Sequence, residues 1–119
     1  CFDVGQAINP LSAEGQLEGG AIYGLGYGLT EEVILERGVT LPPSFSEYLI
    51  HTAMDAPEVQ TIMIQSGGGA GPFGAKGVGE PSCVPIAPAV SNAVCAAIGV
   101  RILDLPLTPE KILRALKNI

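Results

Sequence analysis

The sequence predicts an α+β fold made of short mixed strands, a glycine-rich helix, a glycine loop and two C-terminal helices. Two helix starts support this prediction, because Asn9-Pro10 and Thr108-Pro109 each place a capping residue before a proline. A third observation is an apolar segment that ends at Gly99, since glycine commonly closes a helix. Short apolar runs between these helices are typical of strands. No repeat or linker divides the 119 residues.

The first predicted elements are a strand at residues 1–5 and a helix from residue 10 to about residue 32. The helix contains many glycines, three of which are spaced four residues apart: Gly20, Gly24 and Gly28. An interior glycine costs about 0.5–1 kcal/mol relative to alanine. The spacing therefore predicts a smooth ridge against which a neighbouring element packs. Close packing is the simpler interpretation, and it is compatible with a ligand at the start of the helix.

The middle of the chain is predicted to be made of short strands and turns. Residues 33–41 predict a hairpin that turns at Arg37-Gly38, and Pro42-Pro43 predicts a break. Further strands are expected at residues 48–52, 59–65 and 100–105.

Helices dominate the remaining sequence after a loop at residues 67–79, which holds seven glycines. Residues 87–98 are interpreted as a buried apolar helix with a proline-rich entry, rather than as a membrane span. Thr108 is predicted to cap the last helix. The side chains expected to face inward from that helix are Ile112, Leu113 and Leu116.

Composition limits the possible functions. With 47% hydrophobic residues there is enough apolar material for one core, and a net charge of −6 disfavours nucleic acid and anionic membrane surfaces as partners. The three cysteines, Cys1, Cys83 and Cys95, form no C-x-x-C pair, and the chain has one histidine. We therefore expect no disulfide framework and no metal-ligand set, but reduced thiols in a cytoplasmic protein. The start at Cys1, without a methionine, suggests a fragment of a longer chain.

The glycine loop contains Gly69-x-Gly71-x-x-Gly74, which matches a nucleotide-binding pattern literally. Its context does not fit, because Pro72 interrupts it and no helix is predicted to open there. Lys76 is followed by Gly77 rather than by serine or threonine, so a P-loop is also excluded.

Glu80 is the carboxylate that the sequence singles out as a general base. It follows Gly77-Val78-Gly79 and precedes twenty residues without a charge. Apolar surroundings would desolvate the carboxylate and raise its pKa towards the range of a general base. The residues alone leave two structural roles open, in which Glu80 caps the following helix or pairs with Lys76. His51 is interpreted as structural.

Six segments then occur in an order and spacing that resemble one family. They are D-V-G…I-N-P from Asp3, E-G-Q-L-E-G-G from Glu14, Tyr48…D-A-P-E from Asp55, G-P-F-G-A-K-G-V-G-E-P from Gly71, Pro85…A-P-A from Ala87, and L-P…T-P-E from Leu105. Together they resemble the C-terminal part of the molybdenum-cofactor-binding subunit of the xanthine dehydrogenase and aldehyde oxidase family, the molybdenum hydroxylases. The resemblance covers essentially the whole chain.

The resemblance implies an oxidoreductase that hydroxylates an N-heterocycle or aldehyde carbon with oxygen derived from water. It assigns the general base to Glu80, and contacts with the molybdenum-molybdopterin cofactor to Gln16 and Val78. It assigns no metal ligand to this chain. The glycine loops agree with it, since bare backbone can approach an anionic pterin phosphate closely. His51 departs from the family pattern, which has proline at that position.

By this resemblance, residues 1–119 are a C-terminal fragment of the second molybdopterin-binding domain of a longer subunit. The expected partners are the remainder of that subunit, iron–sulfur (2Fe-2S) and flavin (FAD) domains or subunits, and a small-molecule substrate. An isolated fragment is expected to be inactive, because the other half of the cofactor site lies elsewhere. The alternative is a non-catalytic module that only packs within such a complex.

Overall fold

The structure is a computed structural model that describes residues 1–41 and 44–117. Its helices are α1 (Pro10–Leu29), α2 (Ile86–Ile98) and α3 (Pro109–Lys117), and two 3-10 turns lie at Pro72–Gly74 and Glu80–Ser82. Its strands are β1 (Phe2–Asp3), β2 (Ile34–Glu36), β3 (Val39–Leu41) and β4 (Met63–Ile64). The predicted α+β class is confirmed. The predicted break at Pro42-Pro43 lies outside the described residues.

The segment of residues 2–6 lies between two later parts of the chain. On one side β1 pairs in parallel with β4, and the Val4 amide donates to the Ile64 carbonyl at 2.9 Å. On the other side Gly5 bridges Ala75, and the Lys76 amide donates to the Val4 carbonyl at 3.0 Å. Val4 is 1% exposed. The glycine loop is therefore fixed to β1 immediately before it reaches Glu80.

Helix α1 packs its glycine ridge against the second 3-10 turn and α2. A Cβ atom on Gly24 would lie 2.6 Å from the Ile86 Cβ, and one on Gly28 would lie 3.5 Å from the Ala87 Cα. Such separations leave no room for a larger side chain at Gly24. The predicted ridge is confirmed, and a neighbouring helix is what packs on it.

Both ends of α1 follow from local hydrogen bonds. The Asn9 side chain accepts from the Ser12 amide at 3.1 Å, which confirms the predicted N-cap. The helix stops at Leu29 rather than near residue 32, because the amides of Thr30 and Glu31 both donate to the Gly26 carbonyl. The predicted hairpin also forms, with Arg37 at φ 50° and Gly38 at φ 83° in the turn between β2 and β3.

Two of the predicted strands do not form, and two others, at residues 1–5 and 59–65, are shorter than expected. Residues 48–52 are irregular because the Asp55 carboxylate takes the Thr52 amide, at 2.8 Å, away from any strand partner. Residues 100–105 are also irregular. The Leu105 carbonyl accepts a hydrogen bond from Lys111 Nζ, at 3.0 Å, instead of one from a neighbouring strand. Of residues 59–65, only β4 is a strand.

The expected burial of the later helices is wrong. Helix α2 starts one residue earlier than predicted, at Ile86, and Gly99 is its C-cap as predicted, but Ala87 is its one buried residue in the described chain. The side chains of Leu113 and Leu116 on α3 are 52% and 43% exposed, while Ile112 is half-buried. Within the described residues, α2 packs on the glycines of α1 through its first turn, at Ile86 and Ala87, and no residue of α3 is buried.

The segment Glu80–Ile98 is long and apolar enough to cross a membrane by length and composition, with 11% of that window buried. It consists of the second 3-10 turn, residues 83–85 and α2, and its Ala87 packs on Gly28 of α1. That this segment is not a membrane span stays a prediction.

Candidate functional site

Gln16 lies between two open cavities on the surface of α1. A cavity of about 240 Å³ on one side is also lined by Val78 and Lys76. A cavity of about 410 Å³ on the other side is also lined by Gly79 and Glu80. The structure thus brings together Gln16, Val78 and Glu80, the three residues that the family resemblance assigns to a site, although 64 positions separate Gln16 from Glu80. We call the two cavities together the Gln16 surface.

Gln16 contributes its side chain and its backbone to different contacts. The side chain is exposed towards the cavities and makes no hydrogen bond within the described residues. Its backbone carbonyl accepts a hydrogen bond from Ser82 Oγ at 3.2 Å. The amide of Gln16 is consequently available to a ligand, while its backbone is held against the turn that carries Glu80.

Lys76 pairs with Asp3 and not with Glu80. Its Nζ donates to Asp3 Oδ2 at 2.6 Å, and Asp3 Oδ1 accepts from the Gly5 amide at 2.9 Å and from Ser66 Oγ at 3.0 Å. The lysine first, and then the amide and the hydroxyl, hold the pKa of the Asp3 carboxyl well below its usual range. The proposed ion pair between Lys76 and Glu80 is therefore wrong.

Glu80 opens the second 3-10 turn and its side chain is exposed. Neither this turn, which Gly79 precedes, nor α2, which Pro85 precedes, has a side-chain cap. The capping role that the residues left open is therefore also wrong. The expected desolvation is not found within the described residues, because the apolar run after Glu80 packs along α1 and leaves the carboxylate at an open cavity.

The glycines of the nucleotide-like pattern fold against their own loop. A Cβ on Gly69 or on Gly71 would lie 2.5 Å from the Ala75 carbonyl oxygen. The loop makes a 3-10 turn at Pro72–Gly74, with Phe73 at φ 57°, and no α-helix begins there. These glycines serve to return the chain to β1, since the Gln6 amide donates to the Gly74 carbonyl at 3.0 Å.

Sequence reasoning missed two residues of this region. Asp3 is predicted as part of a strand and belongs to one of the six family segments, but its role as the anchor of the glycine loop through Lys76 is not predicted. Ser82 was not considered, although it is 9% exposed and hydrogen-bonded to α1. The sequence feature that could have indicated Ser82 is its hydroxyl group, which lies in the apolar run that follows Glu80. His51 lines neither cavity.

In residues 1–41 and 44–117 no three side chains of histidine, cysteine, aspartate or glutamate cluster in a way that could hold a metal ion. A metal at the Gln16 surface would therefore need a ligand other than such a cluster. Bare backbone is available there, because a Cβ on Gly19 or Gly79 would meet no heavy atom within 4 Å.

Comparison with known proteins decides the family. The family described as "Molybdopterin cofactor-binding domain" matches residues 1–57. The xanthine dehydrogenase molybdenum-binding subunit of Escherichia coli O157:H7 is 39% identical over 112 residues, which cover 92% of this chain and 15% of that protein. This chain belongs to the xanthine dehydrogenase family of molybdenum-binding subunits. The resemblance drawn from its six segments is confirmed.

Other relatives match this chain over a similar share of their length. Subunit gamma of the 6-hydroxypseudooxynicotine dehydrogenase complex of Paenarthrobacter nicotinovorans is 38% identical, over 92% of this chain and 14% of that protein. Among solved structures, quinoline 2-oxidoreductase from Pseudomonas putida 86 is 34% identical with a TM-score of 0.83, over 97% of this chain and 15% of that one. The chain thus spans about 15% of the length of the relatives that it matches.

Proposed function

We propose that this chain is part of a molybdenum hydroxylase that hydroxylates an N-heterocycle or aldehyde carbon with oxygen derived from water. In this proposal Glu80 is the general base, and Gln16 and Val78 contact the molybdopterin. The observation that supports it best is the shared cavity of about 410 Å³, which Glu80 and Gln16 line from two distant parts of the chain. The identity to molybdenum-binding subunits supports the choice of cofactor.

The residues of the Gln16 surface fit a molybdopterin cofactor. Gly19 and Gly79 leave open space where any other residue would place a Cβ, so a bulky planar group has access to the backbone. The exposed amide of Gln16 offers both a donor and an acceptor. A metal carried by its own pterin ligand needs no cluster of protein side chains. When bound, the cofactor supplies the two-electron redox change and an electrophilic metal centre.

Glu80 would accept a proton during the reaction. Its carboxylate lies at the open cavity, and the nearest cation in sequence, Lys76, is bound to Asp3 instead. The carboxylate is therefore available to accept a proton from a group bound in this cavity.

The rest of the catalytic unit is proposed to lie outside these 119 residues. The chain would be the C-terminal part of the second molybdopterin-binding domain of a cytoplasmic enzyme. Its partners would be the remainder of the molybdenum subunit and the 2Fe-2S and FAD domains or subunits that carry electrons away. On its own the chain would be inactive.

The test is Glu80→Gln in the full-length subunit, assembled with its partners. This substitution keeps the shape of the side chain and removes its basicity, so kcat should fall roughly 10²–10⁴-fold while molybdenum content stays near that of the wild type. Glu36→Gln, on exposed strand β2, is the matched control and should leave kcat unchanged.

Two outcomes would contradict the proposal. Near-normal kcat with full molybdenum loading would exclude the general base and would favour the alternative of a packing module. Loss of both activity and molybdenum would assign Glu80 a structural role.

A further inference from the structure

Ser82 is a buried polar residue at the end of the turn that begins with Glu80. Its exposed fraction is 9%, and the neighbouring Cys83 and Pro85 continue an apolar run. A buried hydroxyl is costly unless it is hydrogen-bonded, so its partners indicate what it stabilises.

The Ser82 hydroxyl lies between two backbone carbonyls, those of Gln16 and Gly79, and both residues line the cavity of about 410 Å³. Ser82 Oγ is 3.2 Å from the carbonyl oxygen of Gln16 and 3.0 Å from that of Gly79. A hydroxyl has a single proton, which these two carbonyls must share. The Gln16 carbonyl can accept it in addition to its helical hydrogen bond, because a carbonyl oxygen has two lone pairs.

The position of the hydroxyl is restricted by Gly20 on the facing turn of α1. A Cβ on Gly20 would collide with Ser82 Oγ, would lie 2.9 Å from the Ser82 Cβ and would lie 3.3 Å from the Cys83 amide nitrogen. The turn can therefore approach α1 closely only because residue 20 has no side chain. The Cys83 amide also donates to the Glu80 carbonyl at 2.9 Å, which closes the turn.

We propose that Ser82 is a positioning residue whose buried hydroxyl fixes the Glu80 carboxylate relative to the Gln16 amide. Gly79 directly precedes Glu80, so the two hydrogen bonds of Ser82 connect the backbone of the base to the backbone of Gln16. Ser82 itself touches neither substrate nor cofactor. This inference rests on the proposed function of Glu80.

The test is a double-mutant cycle in the full-length, assembled enzyme. Ser82→Ala should lower kcat roughly 10- to 100-fold, because displacement of a catalytic group costs rate, while KM and molybdenum content stay within roughly a factor of two. In the Glu80→Gln background, Ser82→Ala should change kcat by less than roughly a factor of two, since a residue that acts through Glu80 has nothing left to position.

Two further variants accompany the double-mutant cycle, one as a second perturbation of the Ser82 hydroxyl and one as a control. Gly20→Ala displaces the same hydroxyl from the side of the helix and should lower kcat in the same way. Ser91→Ala makes the matched change on α2, outside the Gln16 surface, and should have no effect.

Different results would contradict the positioning role of Ser82 and the proposed function of Glu80. If Glu80→Gln abolishes turnover but Ser82→Ala does not reduce it, the positioning role is wrong and the base is retained. The positioning role is also wrong if the two effects on kcat multiply, or if Ser82→Ala empties the enzyme of molybdenum. If Glu80→Gln leaves kcat near normal, the proposed function itself is wrong.

Discussion

Asp3 connects three stretches of chain that are far apart in sequence. Its two carboxylate oxygens accept hydrogen bonds from the Gly5 amide, Ser66 Oγ and Lys76 Nζ. The sequence alone left open an ion pair between Lys76 and Glu80, which lie four residues apart. The glycine loop is not helical at that point, so the lysine reaches back to β1.

Replacement of this carboxylate should have a pH-dependent effect on stability. Hydrogen bonds from Lys76, Gly5 and Ser66 lower the pKa of Asp3 in the folded protein relative to the unfolded chain. Its stabilising contribution is therefore complete above the unfolded pKa, about 3.9, and is lost as the pH falls below that value. Asp3→Asn should lower Tm at pH 7, and the difference from the wild type should shrink below about pH 4.

Thermal melts of the subunit across pH 3–7 measure this difference. Asp104→Asn, at an exposed aspartate before the last helix, is the matched control. A deficit in the Asp3→Asn variant that stayed constant down to pH 3 would show that Asp3 stabilises the fold by something other than its charge.

At the scale of elements, the glycine ridge on α1 is what the sequence predicted best. Glycines four residues apart on a helix must lie on one face, and the cost of interior glycine requires a compensating contact there. The sequence could not identify the partner, because contact between elements depends on long-range packing. The structure shows that Gly20 contacts Ser82, and that Gly24 and Gly28 contact the first turn of α2.

A larger side chain on this ridge should therefore weaken the fold. Gly24→Val would overpack the contact with Ile86 and the Cys83 carbonyl, and should reduce the free energy of unfolding by about 1–3 kcal/mol. Gly20→Val should have a similar effect. Thermal or denaturant melts measure the change.

Gly15→Val is the control on the same helix, because a Cβ at Gly15 would meet no heavy atom within 4 Å. It should leave stability unchanged or raise it slightly, since valine is a better helix former than glycine. Equal losses in the Gly15 and Gly24 variants would indicate a general effect on α1 rather than overpacking at the ridge.

The strands were harder to predict than the helices, and particular residues explain why. Residues 48–52 have a strand-like composition, but the side chain of Asp55 captures the backbone of Thr52. Strand β1 does form, and its partner β4 lies about sixty positions away with two paired residues. Two strands this short and this far apart leave no periodic pattern in the sequence. Helix caps such as Asn9 and Gly99 depend only on neighbouring residues, and they were predicted correctly.

The whole molecule is more extended than a compact chain of its length. Its radius of gyration is 17.5 Å, whereas about 13–14 Å is expected for 119 residues. Within the described residues, the buried apolar side chains are those of Val4, Leu17, Ala87, Pro106 and Leu107. The apolar content suggested a core of ordinary size, but many large side chains are exposed, among them Leu11, Phe45 and Leu103. Such surfaces agree with the proposal that the chain packs within a larger subunit.

The isolated chain should bind no molybdopterin with useful affinity. It would supply one wall of the cofactor site, and the cavities on both sides of Gln16 are open in the described structure. Metal analysis of the purified 119-residue chain, after exposure to the cofactor and removal of the excess, measures the bound molybdenum. The full-length subunit serves as the positive control, and stoichiometric molybdenum on the isolated chain would contradict the prediction.

The placement of residues 2–6 between two later segments has a consequence for biosynthesis. These residues take their main-chain partners from residues 62–64 and 74–76, and at roughly 5–20 residues per second the ribosome needs about 3–15 s to make those segments. In chains stalled at residue 55, the amides of Phe2 and Val4 should therefore be unprotected from hydrogen exchange. Protection of these amides would mean that they first form hydrogen bonds with another part of the chain. Helix α1 can form during this interval, but the surface shared by Gln16 and Glu80 exists only after the ribosome has passed the glycine loop.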